Sequence, residues 1–169
     1  MPHYRIRPAT TQDVTRIREI VDPLVDERIL MPKETVNYFE GVQEFLLAED
    51  PQTEQVVGCG ALHVMWEDLA EIRTLATDKN WLGTGVGHQL VEALLDRARA
   101  LGVSRVFCLT FEVDFFTRQG FEVMQDQSTL PPEVYLELLR SHDEGVAEFL
   151  DLARVKPNTL GNTRMIRVL

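Results

Sequence analysis

The chain is poor in cysteine and in positive charge, and it contains no long apolar run. Cys59 and Cys108 are the only cysteines in 169 residues, far apart and in apolar surroundings. Buried free thiols fit that context better than a disulfide. With four scattered histidines they show no spacing suited to metal ligands, so no metal is expected. Lys and Arg number 17 against 27 Asp and Glu, a net charge of −10. A general nucleic-acid binder needs a basic face to neutralise phosphates, and this balance argues against one. No stretch of 18 apolar residues is present, so no membrane span is expected. The start, MPHYRIRPAT, lacks the apolar core of a signal peptide, which points to the cytoplasm.

What the chain does have is enough apolar content, 44%, for one ordinary core at this length. Residues 4–8 (YRIRP) alternate and predict a strand. Thr10 or Thr11 can cap a helix whose apolar residues Val14, Ile17, Ile20, Val21 and Leu24 recur at helical spacing. A second helix is expected from about 34 to 43. Residues 45–48 and 56–64 read as strands joined by the polar turn DPQTEQ. A strand over 69–77 follows, then an amphipathic helix from about 85 to 101 that Gly102 ends. Residues 105–109 (RVFCL) fit a buried strand of the parallel type. A short helix over 114–118, a strand over 120–123 and a helix opened by Pro131-Pro132 come next. Residues 145–151 read as helical or irregular, 157–161 as a loop and 164–169 as a closing strand. The order predicts a single α/β layer structure.

The stretch 69–90, LAEIRTLATDKNWLGTGVGHQL, stands out. A strand, a glycine loop and a helix in that order aim several backbone N–H groups at one point, at the positive end of a helix dipole. That is a site for a phosphate group, although a tight strand-to-helix turn would leave the same trace. Gly83, Gly85 and Gly87 alternate, so they do not match G-x-G-x-x-G, and the acidic residue a dinucleotide site needs further on is missing. No Gly-Lys-Ser/Thr follows, which excludes a Walker loop.

The segments Leu75-Ala76-Thr77-Asp78 and Leu82-Gly83-Thr84-Gly85-Val86-Gly87 with Leu90 resemble the acetyl-CoA loop of the GNAT N-acetyltransferases. The resemblance implies the GNAT fold, a central mixed and mostly antiparallel sheet flanked by helices. It implies acetyl-CoA as cosubstrate, with pyrophosphate held by the loop from Leu82 through Gly83, Thr84, Gly85, Val86 and Gly87 to His88. The strand end Leu75, Ala76 and Thr77 would pair with the pantetheine arm and polarise the thioester. Leu82 stands where the family usually has Arg or Gln, so a side-chain contact to phosphate is lost. Phe115-Phe116-Thr117-Arg118-Gln119-Gly120-Phe121 resembles the family's late Phe-Tyr…Gly-Phe motif. Phe116 replaces the tyrosine often proposed as general acid, so that acid is not available.

A narrower resemblance, to the acetyltransferase part of N-acetylglutamate synthases of the short single-domain type, rests on several further segments. They are Leu30-Met31-Pro32-Lys33, Gly58-Cys59-Gly60-Ala61-Leu62, Glu71-Ile72, Val106-Phe107-Cys108-Leu109-Thr110 and a tail from Val146 to Met165. It implies one acetyltransferase domain over 1–169, without the amino-acid-kinase domain of longer relatives. It also implies L-glutamate as acceptor, in arginine synthesis. Glu71 matches the proposed base, and its other reading is a same-face ion pair with Arg73. His63 is a weaker rival, opposite Glu71 if the hairpin is centred on Glu67. Thr110 matches a serine proposed to help protonate the leaving thiolate, or it satisfies the backbone at a strand end. Lys33 matches an arginine that binds glutamate, as a point charge rather than a fork. Met31 and Thr74 would add backbone groups. Thr163 matches a family serine, and Arg164 stands in for an arginine replaced by Gly161. Lys156 is a cation without an assigned role.

The expected partners are therefore small molecules, acetyl-CoA and glutamate, with no nucleic acid and no membrane. A homodimer is compatible with the chain. Glutamine, a polyamine or a protein N-terminus remain open as acceptors, and the acidic balance is compatible with a cationic one. A non-catalytic acetyl-CoA sensor is the reading outside enzymes, kept open by Leu82 and Phe116.

Overall fold

The computed structural model describes residues 3–124, 130–151 and 161–169. Lys156, most of the loop expected at 157–161 and much of the tail motif lie outside them. The chain forms β1 (Arg5–Pro8), α1 (Val14–Asp26), α2 (Thr35–Glu40), β2 (Phe45–Glu49), β3 (Val56–Trp66) and β4 (Leu69–Thr77). These are followed by α3 (Val86–Ala100), β5 (Arg105–Thr110), α4 (Val113–Arg118), β6 (Glu122–Val123), α5 (Pro132–Leu138), α6 (Glu144–Asp151) and β7 (Thr163–Val168). The second helix is shorter than expected. Gly41 ends it, and a separate 3-10 turn carries Val42–Glu44 into β2. No helix among the described residues is long and apolar enough to cross a membrane.

The seven strands make one sheet in the order β1-β2-β3-β4-β5-β7-β6. All pairs are antiparallel except β4 with β5. The amphipathic α3 supplies the crossover that a parallel pair requires. Its Leu90, Val91, Leu94 and Leu95 are buried on the sheet with Val57, Ile72 and Val106. The opposite face is covered in two patches. Val14, Ile17 and Val21 of α1 pack on Leu47 and Cys59. Val134, Leu138, Phe149 and Leu150 of α5 and α6 pack on Leu69 and Phe107. Both cysteines are free and buried.

Two irregularities in β4 shape the functional region. Ala61 pairs with Arg73 and Cys59 with Ala76, so Gly60 alone faces both Thr74 and Leu75. This is a β-bulge, and Thr74 carries the left-handed backbone that makes it, with φ 54°. The buried Cys59 thiol donates to the Thr74 carbonyl at 3.7 Å and braces it. The bulge reverses the alternation of the strand. Ala70 and Ile72 face α3, then Leu75 does, while Ala76 turns toward α1. The second irregularity is a parting of strands. The β4–β5 ladder runs only from Leu69↔Arg105 to Glu71↔Phe107. Beyond Glu71 the two strands have no mutual pairing, while β7 follows β5 along its whole length to Thr110.

Candidate active site

A cleft of about 840 Å³ opens where β4 and β5 part. One end is formed by the glycine loop and the start of α3. The other end holds Lys33, Glu71 and Arg73. That volume is in the range of small-molecule and cofactor sites.

At the loop end, Asp78 closes the strand. Its carboxylate accepts the Asn80 N–H at 3.0 Å and pairs with Arg16 at 2.6 Å. Gly83 and Gly85 take φ of 74° and 94°, which side-chain-bearing residues rarely adopt, and Gly85 caps α3. The first ladder bond of α3 runs from the Gln89 N–H to the Gly85 carbonyl at 3.1 Å. The N–H groups of Val86, Gly87 and His88 therefore have no intrahelical acceptor and sit at the positive end of a 15-residue helix. All three residues line the cleft, as do Leu75, Ala76, Thr77, Gly83 and Leu82. Leu82 is 67% exposed and brings no charge. This end suits a diphosphate group by backbone alone. Thr84 departs from expectation. Its side chain lies outside the cleft, because its hydroxyl accepts from Tyr4 Oη at 2.8 Å and donates to the Trp81 carbonyl at 2.6 Å. It braces the loop from behind.

At the other end, Glu71 sits at the vertex of the fork, the last β4 residue paired to β5. It is 5% exposed. Arg73 donates to Glu71 Oε2 at 2.9 Å, the same-face contact that strand alternation allows. Burial pushes the Glu71 carboxyl above its ordinary range, against the charges of Arg73, Lys33 and His63. His63 does lie opposite Glu71 in the hairpin register, but its Nδ1 is 2.6 Å from Glu44 Oε1. Lys33 Nζ donates to Thr74 Oγ1 at 3.1 Å and makes no ion pair among the described residues. Burial first, and the nearby Arg73 second, hold its ammonium pKa below the usual value.

The remaining expected residues divide. Met31, Thr74 and Thr110 line the cleft. The Thr110 hydroxyl accepts the Glu112 N–H at 2.9 Å, a strand-end role that leaves its proton available to donate. Thr163 and Arg164 do not line it. Thr163 is the ladder partner of Thr110, and Arg164 pairs with Leu109 while its guanidinium lies 5.8 Å over the Phe149 ring. The neighbouring Asn162 takes the cleft position instead. Arg118 and Gln119 also line the cleft, and His88 Nδ1 is 2.8 Å from Gln119 Oε1. They lie within the quoted FFTRQGF segment, so the signal was present but carried no assigned role. Phe116 is a core ring, edge-on to Phe115 and Phe121.

Residues 14–121 match the acetyltransferase (GNAT) family. The chain belongs to that family: it is an acyltransferase that draws on acetyl-CoA. More narrowly, it is 52% identical over 165 residues to the amino-acid acetyltransferase of Mycobacterium tuberculosis, covering 97% of this chain and 94% of that one. The crystal structure of Rv2747 from Mycobacterium tuberculosis in complex with CoA and NLQ superposes with a TM-score of 0.88 at 51% identity, over 98% of this chain and 99% of that chain. N-acetylglutamate synthase from Neisseria gonorrhoeae, solved with coenzyme A and N-acetyl-glutamate, shares the fold with a TM-score of 0.80 at 24% identity. That match covers all of this chain and 36% of that one.

Proposed function

We propose that the protein transfers the acetyl group of acetyl-CoA to the α-amine of L-glutamate, the first step of arginine biosynthesis, by direct attack in a ternary complex in the cytoplasm. One observation carries the acceptor. Lys33 is a half-buried cation at the acceptor end of the cleft whose described partner is a hydroxyl, not a carboxylate. A substrate carboxylate supplies the missing counter-ion and offsets the cost of burying the ammonium. The acidic groups nearby do not compete for a cationic acceptor, since Glu44 and Asp143 are committed to His63 and Arg73. The name of the 52% identical relative, an amino-acid acetyltransferase, supports the same class of acceptor.

Only a neutral amine attacks a thioester, and an α-amine is mostly protonated at neutral pH. Glu71 is the base. Its burial strengthens it as an acceptor of protons, while Arg73 steadies the oxygen it does not use. The proton passes from the amine to Glu71 directly or through one water. The amides of Leu75, Ala76 and Thr77 polarise the thioester carbonyl, and those of Val86, Gly87 and His88 hold the pyrophosphate. Thr110 donates to the departing thiolate, which needs little help, because a thiol pKa near 8.5 makes it a good leaving group. Release of CoA, followed in parallel with glutamate, glutamine, aspartate and spermidine, tests the proposal. Turnover with glutamate is expected, activity with spermidine alone overturns the acceptor, and binding without any CoA release returns the protein to a sensor.

A further inference from the structure

The Glu71–Arg73 pair is not closed on itself. Arg73 Nη1 and Nη2 also donate to Asp143 Oδ2 and Oδ1, both at 3.0 Å, a two-pronged fork across 70 residues of sequence. Three of the guanidinium's five N–H groups are thus divided between two carboxylates. Asp143 has a second task. Its Oδ1 accepts the Val146 N–H at 3.0 Å and so caps the start of α6. The packing around the fork is close. A Cβ added at Gly145 would lie 2.8 Å from Arg73 Nη2. One aspartate therefore fastens the end of α6 to the side chain that grips the base.

We propose that Asp143 is a positioning residue for the acetyl transfer: by taking both terminal nitrogens of Arg73 it fixes the guanidinium and shares its charge, so that Glu71 keeps the basicity needed to accept the amine proton. This rests on the reading of Glu71 as base. The groups facing Glu71 are Arg73 on its own strand, Lys33 before α2, His63 on β3, Asp143 before α6 and Cys108 on β5. Glu44, which holds His63, is the next carboxylate out. Against burial, the hydrogen bonds and charge of Arg73 hold the Asp143 carboxyl at about 2, so it stays anionic throughout the working pH range. Its charge opposes ionisation of Glu71, whereas Arg73 favours it. Without Asp143 the full charge of Arg73 falls on Glu71 and weakens the base.

The experiment is the pH profile of kcat/KM for D143N, D143E and E71Q beside the wild type, with acetyl-CoA binding and thermal unfolding measured on each. D143N is expected to move the acid limb to lower pH by roughly half a unit to one unit and to lower the plateau, with D143E restoring both. Loss of the α6 cap alone would lower the melting temperature without moving the limb. An unmoved limb in a folded D143N, while E71Q abolishes it, overturns the role of Asp143 and leaves Glu71 as base. A limb that survives in E71Q overturns the base itself, and with it this inference.

Discussion

The Lys33 ammonium lies 3.1 Å from the hydroxyl of Thr74, the residue whose left-handed backbone makes the bulge in β4. The segment before α2 and the central strand thus meet at one point, at the end of the cleft that holds Glu71 and Arg73. On the proposed function, an oriented cation at that position would select for negative charge on the acceptor.

Lys33→Met should therefore raise KM for the amino acid by roughly 10–100-fold, the worth of one charge-assisted hydrogen bond, while KM for acetyl-CoA stays unchanged. Steady-state kinetics with each substrate varied in turn read this directly. Equal changes in both constants would remove Lys33 from the acceptor site.

Glu71→Gln should lower kcat by about 10²-fold or more with little change in acetyl-CoA affinity. The wild-type pH profile carries the complementary sign. Burial raises the Glu71 pKa, so its carboxyl stays protonated to a higher pH than an exposed one does. Activity should accordingly fall off on the acid side above the ordinary glutamate range, and the glutamine variant should lack that limb.

Gly85→Ala places a side chain at a φ of 94° in the cap of α3. The strain is about 1–2 kcal/mol, and relieving it turns the loop amides away from the cleft where the proposed function puts the pyrophosphate. Calorimetric titration should show acetyl-CoA binding weakened by roughly tenfold, with a lower melting temperature. Turnover at saturating acetyl-CoA should be much less affected.

Acid stability depends on a separate network. Hydrogen bonds from Arg7, then those from Thr10, hold the Asp13 carboxyl at about 2, below its ordinary 3.8. A depressed folded pKa gives stability that is present above the unfolded value and is lost as pH falls through the folded one. The window is thus from about pH 4 down to about pH 2. Asp13→Asn should flatten the fall of unfolding free energy across that window, measured by denaturant titration, without altering catalysis at neutral pH.

Much of this was legible in the sequence, for local reasons. The bounds of β4, Leu69–Thr77, follow from its apolar run and its flanking turns, and the His63–Glu71 pair holds on the condition stated for it, a hairpin centred on Glu67. The glycine loop is legible because glycine is the residue that adopts positive φ without strain. The bulge is not legible, since Thr74 takes that backbone with no glycine to announce it. Nor is the turning of Thr84 onto Tyr4, which needs β1 and the loop to be brought together from 80 residues apart. The Arg73–Asp143 fork has the same origin. Residues 145–151 read only as helical or irregular, and nothing local says that an aspartate just before them reaches Arg73. The cleft lining differs from the Thr163 and Arg164 expectation by one or two residues, because strand pairing with β5 holds both and Asn162 stands at the rim.

The bulge has a consequence for any change in chain length. Between the pairs Ala61↔Arg73 and Cys59↔Ala76, β4 has two residues where β3 has one. Deleting Thr74 would let the ladder run straight, with Leu75 opposite Gly60 while Ala76 and Thr77 keep their partners Cys59 and Gly58. Those three residues would keep their faces, but Lys33 would lose the hydroxyl that Thr74 offers it, and the Cys59 thiol would lose its acceptor carbonyl. The one residue in excess thus leaves the rest of the strand in place and serves by what it carries itself, a hydroxyl for Lys33 and a carbonyl for Cys59.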